Sequence, residues 1–236
     1  MTERRQPRLP IQLKVAYRTT GAFLVSYSIN LSKGGIFIET AEPLEMGAHV
    51  SLEFEVPGAG NLAVDGVVAW VRKGQADGLP DGMGVQFEQL DQQYGARIDG
   101  MVRHFTGLTV LVVAASPDRL ALLGRYVRSI ISCDIVEATN REVAEVALEE
   151  GPDLVIVDLD LRPDLGLRVI AAAKAHAQAT QVRTPPVILL AGDANARATG
   201  MSAGADESLA TPPSFHDLQG AVIRTLSRPS TVASKE

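Results

Sequence analysis

The sequence predicts two domains of different class in one chain. Residues 1–106 are expected to form an antiparallel β-barrel ending in a helix. Residues 107–228 are expected to form a doubly wound α/β domain with a five-stranded parallel sheet, and residues 229–236 a disordered tail. Three observations lead there. A length of 236 residues is long for one small domain and suits two of about 100–130 residues. Up to about residue 90, apolar and polar residues alternate with the period of half-buried strands. From Leu108 onward, short apolar runs alternate with helical segments, the rhythm of βα units.

In the first half, Ile11, Leu13, Val15 and Tyr17 alternate with polar neighbours, as do Val50, Leu52, Phe54 and Val56. Further strand-like runs are Ala22–Asn30, Gly35–Thr40, Leu62–Lys73 and Met83–Glu88. Gly and Pro clusters at Pro57–Gly60 and Asp77–Gly82 separate them. Short strands joined by such turns suggest a small antiparallel barrel. Tyr94, Ile98, Met101 and Phe105 then share one helical face. Trp70 is read as packing.

In the second half, strands are expected at Thr109–Ala114, Asp134–Glu137, Leu154–Asp158, Val187–Leu190 and Glu207–Leu209. Helices are expected at 117–131, 140–149, 164–176, 194–204 and 214–226. Ser116-Pro117 places a capping residue before a proline at the first helical position. The junction at Thr106-Gly107 leaves almost no linker.

A hydrophobic fraction of 46% with 21% charged residues excludes wholesale disorder. No apolar run approaches the roughly 18 residues of a membrane span, and the N-terminus lacks an apolar signal core. A cytoplasmic protein without a membrane partner is therefore expected. The single cysteine, Cys133, excludes an internal disulfide framework and is read as a core residue. His49, His104, His176 and His216 show no metal-ligand spacing, and no nucleophile–base pattern emerges, so no enzyme and no resident metal are expected. A net charge of −6 argues against binding a nucleic acid polymer. Residues 1–18 reverse that sign, with Arg4, Arg5, Arg8, Lys14 and Arg18 against Glu3 alone. Such an arm suits a small anionic ligand, although composition by itself favours a solvated tail.

The arm reads Arg4-Arg5-Gln6-Pro7-Arg8, and Asn30-Leu31-Ser32-Lys33-Gly34-Gly35 follows it. On these motifs the chain resembles the PilZ family, small β-barrels that bind the bacterial second messenger cyclic di-GMP. The family's RxxxR is matched by Arg4 and Arg8, and its D/N-x-S-x-x-G by Asn30, Ser32 and Gly35. Gly66–Val71 and Gly82–Glu88 look like later strands of the family, so the resemblance spans roughly residues 3–105. It implies cyclic di-GMP as ligand and Arg4, Arg5, Arg8, Asn30, Ser32, Gly34 and Gly35 as its site. The chemistry suits these residue types. An arginine fork can bond guanine O6 and N7 together, and its face can stack on a base. Asn and Ser can bond base or sugar edges, and glycine lets backbone approach the ligand. Arg5 contacts either phosphate or nothing, and Asn30, Ser32 and Gly35 could instead form only a turn.

Leu108–Leu226 resembles a response-regulator receiver domain. Asp158 closes the third strand of Pro152-Asp-Leu-Val-Ile-Val-Asp158 at the family's phosphoacceptor position. Pro186–Leu190, Gly204-Ala-Asp206 and Thr211-Pro212 match later landmarks. The rest of the phosphorylation machinery is missing. The acidic pair that holds Mg²⁺ is Ala114-Ala115, the Ser or Thr is Ala191, the Lys is Thr211 and the switch aromatic is Ser208. Asp118 and Asp160 are poor replacement ligands on position alone. A pseudo-receiver without Mg²⁺ is expected, acting by protein contact with a signalling or motility protein or with a second copy. Three functions follow: a cyclic di-GMP effector, a docking protein that no longer uses nucleotide, or a regulator phosphorylated on Asp158.

Overall fold

The computed structural model describes residues 11–17, 20–29, 34–56, 60–74, 81–88, 96, 100–103, 105–160, 162–180, 184–228 and 231–234. They form two compact units, one of Met1–His104 with Arg228–Glu236 and one of Phe105–Ser227.

The first unit contains strands β1 (Ile11–Ala16), β2 (Gly35–Glu39), β3 (His49–Val56), β4 (Gly60–Arg72), β5 (Gly82–Phe87) and β11 (Thr231–Ser234), with helix α1 (Thr20–Ile29) between β1 and β2. They make one six-stranded sheet in the order β11-β1-β3-β4-β5-β2. The expected all-antiparallel barrel is corrected to a mixed sheet. β1 and β3 run parallel, with Leu13 opposite Leu52 and Val15 opposite Phe54. The long connection through α1 and β2 makes that direction possible, because parallel neighbours need a crossover rather than a hairpin. The sheet curls without a ladder between β2 and β11 among the described residues. Arg228, shortly before β11, meets Glu39 at the end of β2 with N–O 2.8 Å, so the two edges approach at that corner.

Two sequence expectations fail here. Ala22–Asn30 was expected as a strand, but residues through Ile29 belong to α1. Among the described side chains, Ala22, Phe23 and Ser26 are buried, a helical rather than an alternating spacing. Residues 229–236 were expected as a disordered tail, yet Thr231–Ser234 extend the sheet, with Val232 opposite Val15 and Ser234 opposite Leu13. Free edge groups on β1 explain that pairing. The expected helix at 94–105 is seen at 100–103, where Met101 packs on the core; Tyr94 and Ile98 lie outside the described residues, and Phe105 lies beyond the helix.

Alternation gives this unit its core. Val50, Leu52, Phe54 and Val56 point inward along β3, against Leu13, Val15, Leu62, Val64, Ile36 and Ile38. At the centre Tyr17, Phe23 and Phe54 meet ring to ring, Tyr17 and Phe23 edge-on at 5.4 Å. The Tyr17 hydroxyl and the Ser26 hydroxyl share a 2.8 Å hydrogen bond. On the outer face Trp70, 46% exposed, stacks on Phe37 at 5.2 Å. Gly84 stands opposite both residues in the ladders, and a side chain there would enter the Trp70 indole, while one at Gly82 would meet the Phe37 ring.

The second unit alternates β6 (Leu108–Val113), α2 (Pro117–Ile130), β7 (Cys133–Ala138), α3 (Arg141–Glu149), β8 (Leu154–Asp158), α4 (Pro163–Thr180), β9 (Val187–Leu190), α5 (Ala194–Ala203), β10 (Glu207–Leu209) and α6 (Phe215–Ser227). All strand pairs are parallel, in the order β10-β9-β8-β6-β7. This is the doubly wound 2-1-3-4-5 arrangement, with its switch point between β6 and β8. β8 and β9 are buried along their whole length, as central strands of a covered parallel sheet should be. Asn140 and Asp193 cap α3 and α5 by accepting from the Val143 and Ala196 amides. Ser116 stands at the N-cap of α2, but its side chain makes no capping bond. Cys133 is not a core residue. It lies partly exposed on the edge strand β7, and burial pushes its thiol up, with Arg128 opposing.

Burial pushes the Tyr17 phenol up from 10.0 to about 12, against a smaller opposing effect of the Ser26 bond. The folded state thus disfavours the phenolate, so Tyr17's contribution is intact below the unfolded value and lost as pH rises toward the folded one. Chemical denaturation should show the first unit losing on the order of 2–3 kcal/mol between pH 10 and 12. Tyr17→Phe should flatten that loss.

Candidate functional site

The N-terminal motif residues Arg4, Arg5, Arg8, Asn30 and Ser32 lie outside the described residues. Gly34 and Gly35 are described, at the entry to β2. Gly34 has φ +78°, a left-handed conformation that turns the chain into the strand, and its carbonyl accepts from the Phe87 amide at 2.9 Å. Gly35 stands opposite Gln86, and a Cβ there would come within 2.7 Å of the Val85 carbonyl oxygen. Both glycines are therefore required by the β2–β5 ladder itself. The structure brings this end of the motif beside Gln86 and Phe87 at the end of β5.

In the second unit, parallel strands deliver their C-terminal ends to one edge, where α/β sheets hold ligands. Asp158 ends β8 there with only 4% of its side chain exposed. Its Oδ2 receives Arg119 Nε at 2.8 Å and Arg119 Nη2 at 2.7 Å. The same Nη2 donates to the Thr211 hydroxyl. Asp158 Oδ1 accepts from the Asp160 amide at 2.9 Å, and Asp160 Oδ1 accepts from the Gly192 amide at 3.0 Å. Arg197 donates to the Ala191 and Gly192 carbonyls at 2.8 and 3.0 Å.

This donor set does not suit the Mg²⁺ that a resemblance to receiver domains implies. Mg²⁺ is held by oxygen ligands in near-octahedral geometry. Ala114, Ala115 and Ala191 carry no side-chain oxygen, and both oxygens of Asp158 are already bonded to protein donors. Among the described residues, no group of three or more His, Cys, Asp or Glu could hold a metal ion. Asp118, weighed as a replacement ligand, sits in the first turn of α2.

Arg119 is the residue that sequence reasoning missed. Its partner Asp158 is 39 positions away, so no local pattern links them. One weak signal existed: Arg119 lies in the first turn of α2, where the helix dipole disfavours a cation, so its placement asks for a carboxylate.

Replacing Gly35 tests whether strand packing alone claims this motif glycine. Gly35→Ala should force β2 from β5 and cost about 1–3 kcal/mol in urea unfolding, with or without nucleotide.

Residues 2–104 match the family model of the PilZ domain. No curated protein matches the chain. Several solved structures are similar to the second half. A candidate response regulator from Chloroflexus aurantiacus is 25% identical, covering 52% of this chain and 100% of its own, with a TM-score of 0.46. The Vibrio cholerae chemotaxis protein CheY4 is 19% identical, covering 51% and 99%, with a TM-score of 0.44. The receiver domain of the sensor histidine kinase PA1611 from Pseudomonas aeruginosa is 21% identical, covering 51% and 98%, also at 0.44. Residues 2–104 of this chain thus match the PilZ domain, and the sheet that follows has the 2-1-3-4-5 strand order of a doubly wound fold.

Proposed function

We propose that the chain is a cyclic di-GMP effector. The observation that carries this reading is the pair of intact motifs, Arg4 with Arg8 and Asn30 with Ser32 and Gly35, inside the residues matching the PilZ domain. Arg8 and Arg4 would grip guanine and phosphate, with Asn30 and Ser32 on base or sugar edges and Arg5 an auxiliary phosphate contact. The second domain would serve by contact, with a motility or other signalling protein or with a second copy as its partner. The reading places the protein in the cytoplasm; no helix among the described residues is long and apolar enough to cross a membrane.

One observation favours a docking protein that ignores nucleotide. Gly34 and Gly35 are accounted for by strand geometry alone, so they would persist after ligand binding was lost. The Asp158-phosphorylated regulator is disfavoured by the guanidinium on Asp158.

Calorimetric titration of the full chain with cyclic di-GMP decides between the first two. Saturable binding is expected, weakened roughly 5- to 150-fold in Arg8→Ala, the equivalent of about 1–3 kcal/mol for one bidentate guanine contact. A folded wild-type chain that takes up no nucleotide would leave only the docking reading.

A further inference from the structure

The crevice at the switch point of the second sheet is where a doubly wound fold receives a ligand. Here the protein fills it with its own groups. Arg119 comes from the helix after β6 and crosses to the end of β8, holding Asp158, while its Nη2 also reaches Thr211 in the loop after β10. Asp160 continues the chain of bonds from the loop after β8 to Gly192 after β9, and Arg197 of α5 fastens the same carbonyls at Ala191 and Gly192. The first turn of α2 and the loops after β8, β9 and β10 are thus tied across one edge of the sheet.

We propose that Arg119 is a resident cation of this domain, a guanidinium that takes the place of a divalent metal at Asp158 and clasps Thr211. Two facts carry it. Asp158 is nearly fully buried, and a buried carboxylate requires a cation or a proton. Among the described residues no other cation ligand set surrounds it, because the acidic pair that would complete one is replaced by Ala114 and Ala115. A guanidinium never loses its charge and bonds in fixed directions, so the clasp is permanent where a metal would exchange. The domain is therefore blind to Mg²⁺ and to small phosphodonors, whatever the first domain binds.

The test uses the full chain, thermal unfolding and Mn²⁺ titration followed by electron paramagnetic resonance. Arg119→Ala should lower the unfolding midpoint of the second domain by about 5–15 °C, because it strands a buried charge. Adding Asp158→Asn to that variant should recover at least half of the loss, because no charge is left to strand. The wild type should show no saturable Mn²⁺ site that Asp158→Asn removes. If Arg119→Ala does not fold, Arg119→Lys keeps the charge without the fork and should fold with a smaller loss, still without a Mn²⁺ site. The proposal is overturned if Arg119→Ala is as stable as the wild type or gains nothing from Asp158→Asn. It is equally overturned by an Asp158-dependent Mn²⁺ site in the wild type or in Arg119→Lys.

Discussion

Taking a carboxylate out of water costs several kcal/mol unless a cation and hydrogen-bond donors meet it. Asp158 is in that position, and the C-terminal edge of the second sheet is arranged around the answer. Arg119 gives Oδ2 its charge partner, and the Asp160 amide satisfies Oδ1. With the charge balanced from within the chain, the alanines at 114, 115 and 191 leave no ligand shell half-built. A pair of this kind is poor grounds for claiming extra stability, since a well-packed apolar pair could serve as well. Its consequence is one of arrangement: α2, β8 and the loop after β10 are held together by one side chain.

The first domain rests on a different constraint, the close approach of backbones. β5 carries Gly82 and Gly84, and this lets Phe37 and Trp70 lie flat across it. Gly35, two residues before Phe37 on β2, meets the same strand close to the Val85 carbonyl. The motif glycine that sequence reasoning assigned to ligand approach is thus also a packing requirement of the sheet. Under the proposed function, recognition of a nucleotide would fall to the polar members of the motifs, Arg4, Arg8, Asn30 and Ser32.

Much of the architecture was legible because it is written in local periodicity. Val50–Val56 alternates, and its inward residues are the buried ones. Leu154–Asp158 is a continuous apolar run closed by an acid, and it is the central buried strand. What escaped depends on distant partners or ambiguous runs. Thr20–Ile29 is apolar on several sides, so neither period dominates, and tertiary packing decides for helix. Thr231–Ser234 becomes a strand only because β1, from the opposite end of the sequence, leaves an edge free. The parallel β1–β3 pair and the Arg119–Asp158 contact are likewise invisible until the chain folds.

Under the proposed function the first domain binds nucleotide and the second carries out no phosphoryl chemistry. Hydrogen exchange on the full chain tests both halves at once, with cyclic di-GMP in one arm and acetyl phosphate with Mg²⁺ in the other. The nucleotide should protect amides within residues 1–10 and 30–36, and the phosphodonor should change nothing around Asp158, Gly192 and Thr211. An unchanged pattern with nucleotide, or altered exchange in those three loops with the phosphodonor, would contradict it.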